Sequence, residues 1–156
     1  MIANTSTASA SISVVNIQSI EDNMNRKLID NLIIHLLAIS NYAKDIHYNC
    51  SGANFYGNHL FADRIQENLA EYIDQLKEIC LLGHNLNTLP SKYYLSEAAQ
   101  IIPDGADFGV IRGLMIDTLK IIEQIKDVSK GDENLLGAIA QDIQNNIGLI
   151  NIMLGA

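Results

Sequence analysis

Tryptophan is absent from this chain, and only Pro90 and Pro103 interrupt its 156 residues. Proline removes a backbone donor and clashes with the preceding helical turn, so its scarcity leaves long stretches open to helix. Cysteine is as scarce. Cys50 and Cys80 form no disulfide framework by count or spacing, and a reducing cytoplasm is the expectation. Basic residues are the third shortage: ten Lys and Arg against eighteen Asp and Glu leave a formal net charge of −8. That balance favours cations as partners and works against nucleic acid or anionic membrane. Long apolar runs are missing too, since Leu32–Ile39 is broken by His35 and flanked by charge, so no membrane span is expected. The first twenty residues are Ser/Thr-rich with no basic residue before Arg26, unlike a secretory signal. Neither a Gly-rich phosphate loop nor a Ser/His/Asp pattern of nucleophilic catalysis is found.

What the chain does have is helical periodicity. Its length suits a single domain with one sizeable core. Residues 1–18 read as a flexible tail and 19–156 as one helical domain, with Ser19 placed as a helix cap and acids following it. Leu28, Leu32, Leu36, Ile39, Ala43 and Ile46 then recur at helical spacing to about Asn49. Gly52 supplies a turn, and Asn54 is placed to cap a second helix running through Phe61, Ile65, Leu69, Leu76 and Ile79 to Leu82, with Gly83 closing it. A short helix is expected from Pro90 to about Ala99. Asp104 or Asp107 starts a third long helix reaching Val128, Lys130-Gly131 breaks it, and Asp132 opens a fourth that ends near Leu154. Each long helix carries a single apolar stripe. The expected fold is all-α: an antiparallel four-helix bundle with a short extra helix between helices two and three.

Candidate chemistry gathers between His47 and Glu78. His59 and Asp63 stand four residues apart and share a helix face; Asp74 and Glu78 repeat the arrangement eleven residues on. On one straight helix the two pairs point the same way but lie roughly 16 Å apart. An ion with bonds of about 2.0–2.6 Å cannot be held by both. Either the pairs are unrelated surface charge, or a second copy of the chain brings the complementary pair alongside. His47 ends helix one and His59 begins helix two, so their rings can converge near the turn. Imidazole nitrogen beside carboxylate oxygen suits iron or zinc better than calcium or magnesium.

The pattern H-Y-N-x-x-G-x-N-F-x-x-x-H-x-x-x-D, followed by D-x-x-x-E, resembles the ferroxidase signature of the Dps family, the miniferritins of the ferritin-like superfamily. His47, Asn49, Gly52, Asn54, Phe55, His59, Asp63, Asp74 and Glu78 fall into that motif without a gap, and the likeness covers the chain from about Ser19 to Gly155. The resemblance implies a hollow dodecamer built from two-fold dimers, which oxidises Fe(II) with hydrogen peroxide and stores the ferric mineral. It implies a di-iron centre between two subunits, with His47, His59 and Asp63 from one chain and Asp74 and Glu78 from its partner. His47 with the partner's carboxylates would make the tighter iron position, and His59 with Asp63 the weaker one. It also implies that acids such as Asp127, Asp132 and Glu133 line pores through which iron passes.

The chain departs from the family in two places. Tyr48 stands where many relatives carry Trp, and helix four lacks aromatic residues near its end, where Gly148 and Leu149 stand. DNA binding is not expected, because family members that coat DNA use a basic tail and this chain has none. Two other functions match part of the pattern: a non-catalytic helical assembly protein that binds divalent metal, and a DNA-compacting protein. His35 is expected to be a hydrogen-bonded interior or interface histidine, His84 to meet the end of helix two, and Cys50 to be inert. The Tyr93-Tyr94 pair is expected to pack against the bundle or a neighbouring subunit.

Overall fold

The computed structural model of the chain describes residues 6–155, with side chains from Asp22 onward. All regular structure among these residues is helical. Helix α1 runs Ser6–Asn49, α2 Phe55–Gln66, α3 Leu69–Gln75, α4 Ser91–Ile101, α5 Phe108–Gln124 and α6 Lys130–Leu154. A π-helical segment, Leu76–Leu81, and a 3₁₀ turn, Leu82–His84, continue α3. The first helix begins at Ser6, well before the expected Ser19, while residues 1–5 of the expected tail lie outside the described residues.

Hydrogen bonds between distant residues fix how the rods run. Near the end of α1, His47 meets His59 at the start of α2, while nearer its beginning Arg26 donates to the Asn87 carbonyl at 2.7 Å. The α2–α3–π rod therefore runs antiparallel to α1. The Asp107 N–H, just before α5, donates to Tyr42 Oη at 2.9 Å, and Asn25 donates to the Lys126 carbonyl beyond the end of α5 at 2.8 Å. Helix α5 therefore also runs against α1. In α6, Asp132 meets His84, Asp142 accepts from Asn68, and Asn151 accepts from Arg112. That order runs against both the second rod and α5. Taking α1 as up, the four rods run up, down, down, up, and each packs antiparallel to its neighbours. Two successive downward rods require a connection back along the molecule, and α4 lies in it, against α1.

The core lies along the predicted stripe. Leu32, Ile33, Leu36, Ala38, Ile39, Tyr42, Ala43 and Ile46 of α1 are all at most 1% exposed, and they meet Leu76, Leu81, Ile111 and Ile139 from the other rods. Truncating one such Leu or Ile to Ala removes apolar contact and leaves a cavity, a cost of about 2–5 kcal/mol.

Two helix ends differ from the sequence expectation. The second rod does not close on Gly83; Asn85, at φ 59, is the left-handed residue that ends the 3₁₀ turn. Asn tolerates that conformation through its short polar side chain. Likewise Lys130-Gly131 is not a break. Helix α5 stops at Gln124, Asp127 takes φ 58, and Ser129 caps α6 by accepting from the Asp132 N–H at 3.2 Å. The hydroxyl cap fixes the start, so Gly131 falls in a first turn where its low helix propensity matters little.

Candidate metal centre

His47 lies in the last turn of α1, where the Cys50 N–H donates to the Ile46 carbonyl at 2.9 Å. Gly52, at φ 86, then reverses the chain, and the Phe55 N–H donates to its carbonyl at 3.1 Å as α2 begins. A side chain at Gly52 would meet no atom but would strain the backbone, so the turn selects glycine for conformation and not for space. This short reversal lays His59 against His47.

Each histidine holds the other's main chain. His59 Nδ1 lies 2.8 Å from the His47 carbonyl, and His47 Nδ1 lies 3.2 Å from the His59 carbonyl. Carbonyl oxygens only accept, so both Nδ1 atoms carry protons, and a neutral ring keeps its lone pair on Nε2. This is the arrangement that orients a metal-ligating imidazole. Asp63 Oδ1 stands 3.3 Å from His47 Nδ1 with its side chain largely in solvent. The two rings stack, with centroids 3.6 Å apart and planes tilted by 25°. Phe55 stacks on His59 at 5.2 Å, and Tyr48 meets His47 edge-on at 5.0 Å.

Stacking decides how many ions the pair can serve. An imidazole lone pair lies in the ring plane, so an ion must sit close to that plane. Rings with centroids 3.6 Å apart and planes tilted by 25° have planes that meet roughly 8 Å from the centroids, whereas an ion on Nε2 sits only about 3 Å from its ring centre. In this arrangement one ion cannot take both nitrogens.

His47, His59 and Asp63 are thus brought together, and Asp74 and Glu78 are not. The rod carrying them is no straight helix. At Glu67–Asn68 its pattern tightens, with the Glu67 N–H donating to the Arg64 carbonyl at 3.2 Å, and α3 restarts beyond. Asp74 ends up exposed on α3, and Glu78 is exposed inside the π-helical segment, an irregularity frequent at functional sites. These two irregularities interrupt the straight rod on which the four side chains were expected to share one face. Among the described residues, no group of three or more His, Cys, Asp or Glu side chains is arranged to hold a metal ion.

Several contacts have no sequence signal. Cys50 Sγ donates towards the His47 and Phe55 carbonyls at 3.5 and 3.7 Å, so it braces the turn. Asp132 is buried and paired with His84, while Asp127 and Glu133 are exposed. His35 is half-buried, with Nδ1 3.0 Å from the Asn31 carbonyl. Tyr94 is buried and donates to Asp30, whereas Tyr93 is exposed. Set against known proteins, the chain matches no family model and no curated protein.

No described helix is long and apolar enough to cross a membrane.

Proposed function

We propose that this chain is a ferritin-like four-helix bundle protein of the Dps type, a cytoplasmic ferroxidase that stores iron in a hollow dodecamer. The observation that carries this reading is the stacked, carbonyl-held histidine pair. It offers two Nε2 lone pairs that one ion cannot share, and so favours two ions side by side. The up, down, down, up order of the rods, with a crossover between the second and third, is the order found in ferritin-like bundles.

Fe(II) is the substrate. His47 serves one ion and His59 with Asp63 the other, while Asp74 and Glu78 of the partner subunit complete the set across a two-fold axis. The separation of the two pairs along one chain supports that division, because antiparallel copies bring one chain's histidines against the other's carboxylates. Exposed Leu60 and Ile79 flank the two half-sets and supply apolar surface that such pairing would cover. Two Fe(II) ions give up one electron each, and hydrogen peroxide takes both with two protons to become two waters. The two-electron step avoids the hydroxyl radical that a lone Fe(II) generates. Surplus negative charge draws in Fe(II) and repels DNA phosphates, which keeps DNA affinity low.

The first test is mass by size exclusion with light scattering. Twelve chains of 17.2 kDa make a particle of roughly 206 kDa, and a monomer or plain dimer excludes the storage shell. The second is anaerobic Fe(II) loading followed by peroxide. A soluble ferric product is expected to form rapidly and to be lost when His47→Ala is combined with Asp74→Ala. Unchanged oxidation in that double variant would remove the site assignment.

A further inference from the structure

Far from the histidine pair, a cavity of about 260 Å³ opens between α1, the π-helical segment and the α5–α6 junction. Arg26, Ile29, Cys80, His84, Asp127 and Asp132 are among its walls. Eighteen residues of α1 separate Ile29 from His47, roughly 27 Å of helix. The cavity is therefore separate from the histidine pair, and Glu78, two residues from Cys80, does not line it.

Asp132 has unfinished bonding here. The residue is 5% exposed, and its Oδ2 lies 2.8 Å from His84 Nε2. Its Oδ1 is buried and meets no hydrogen-bond partner within ordinary distance among the described residues, the Cys80 thiol, a weak donor, being the group that approaches the carboxylate. A buried carboxylate oxygen left unpaired costs at least about 1–3 kcal/mol, so the position calls for a ligand. The Cys80 thiol, itself only 5% exposed, lies against the same carboxylate. Arg26 also borders the cavity, but its guanidinium is occupied by the Asn87 carbonyl and lies 3.9 Å from Asp30.

We propose that Cys80, His84 and Asp132 bind a zinc-class divalent ion, with its fourth position open to the cavity. One sulfur, one imidazole nitrogen and one carboxylate oxygen are the donor types that zinc takes in a tetrahedral site. A thiolate and a carboxylate together cancel the ion's two charges. On binding, the Cys80 S–H bond breaks, a sulfur–metal bond forms and the proton leaves to solvent. The Nε2 proton that His84 donates to Asp132 is likewise given up to solvent while Nδ1 carries the ring's proton, which frees the Nε2 lone pair for the ion. No three-residue set is preformed for a metal among the described residues, so binding requires these side chains to rearrange. A tetrahedral ion spaces nitrogen and oxygen donors about 3.3 Å apart, so the 2.8 Å pair must open by about half an ångström. His84 can make that movement: its side chain is 43% exposed, and it ends a three-residue turn before left-handed Asn85.

Cobalt(II) is the probe, added to the full-length protein under anaerobic conditions. A thiolate ligand gives cobalt a near-ultraviolet charge-transfer band, which the histidine and carboxylate iron ligands cannot produce. The band is expected in the wild type, in Cys50→Ser and in the His47→Ala/Asp74→Ala double variant. It should vanish in Cys80→Ser, and His84→Ala, a change at an exposed side chain, should weaken cobalt binding at least about tenfold. Absence of the band from the wild type, or its survival in Cys80→Ser, overturns the proposal. Because peroxide-driven iron oxidation is read separately, failure here is distinguishable from failure of the ferroxidase reading.

Discussion

Tyr94→Phe removes one oxygen from the contact that fastens the crossover helix to α1. The hydroxyl donates to Asp30 Oδ1 at 2.6 Å and accepts from the Leu89 N–H at 3.3 Å. Tyr94 is 1% exposed and Asp30 9%, so water does not readily replace the lost partner. The phenylalanine ring keeps the packing and the Lys77 ammonium 4.9 Å from the ring centre. A hydrogen bond to a buried charge contributes about 1.5–3 kcal/mol, and the orphaned Leu89 N–H adds to the loss, giving about 2–4 kcal/mol in all. For a chain of this size that lowers Tm by roughly 4–16 °C.

The same hydroxyl makes the deficit depend on pH. Burial first, then the bond to Asp30, pushes the Tyr94 phenol up to about 12 from 10.0. The folded chain keeps this proton to about pH 12, whereas the unfolded chain releases it near pH 10. Stability fully present below pH 10 is therefore lost between pH 10 and 12, by at most about 1.4 kcal/mol per pH unit. Phenylalanine has no such proton. Cys80 and Tyr72, both also raised mainly by burial, weaken wild type and variant alike in alkali. Urea titrations at fixed chain concentration from pH 8 to 11.5 should show a wide gap between the two proteins that narrows above pH 10. Parallel curves, or a gap under about 0.5 kcal/mol at pH 8, would refute the reasoning.

Three further outcomes are expected. In His59→Ala, anaerobic calorimetry should find Fe(II) binding reduced from two ions to one per chain, with trapped hydroxyl radical rising on peroxide addition. Two tight ions retained would sink the one-ring, one-ion argument. Gly52→Ala, at φ 86, should cost about 1–2 kcal/mol through backbone strain and slow iron oxidation by disturbing the turn; a variant as stable and as fast as wild type would show that the turn is not under this constraint. Plasmid mixed with the protein at low ionic strength and neutral pH should migrate unretarded, and a gel shift would overturn the prediction of low DNA affinity.

The helices were largely legible because single apolar stripes and polar caps are local signals. Leu32, Leu36, Ile39 and Ile46 are all buried as their spacing demands, and Asp107 accepts from the Val110 N–H as a cap should. Helix α1 starts at Ser6 and not at Ser19, which has the chemistry of a cap but stands in mid-helix. The π-helical segment has no signature in residue type, and it invalidates any count of turns from Asp63 to Glu78. Convergence of His47 and His59 was readable from the short turn between them. Their stacking was not, nor was the meeting of His84 with Asp132, since both depend on how separate rods settle against each other.

Because the reciprocal histidine contacts use main-chain carbonyls as acceptors, changing either side chain leaves the other's acceptor in place. Side-chain identity and ligand orientation are thereby uncoupled. A substitution at one histidine subtracts one donor, whereas an added residue between Asn49 and Asn54 shifts both carbonyls at once and misaligns both rings. The alignment of the two rings is therefore more sensitive to loop length than to the identity of either side chain.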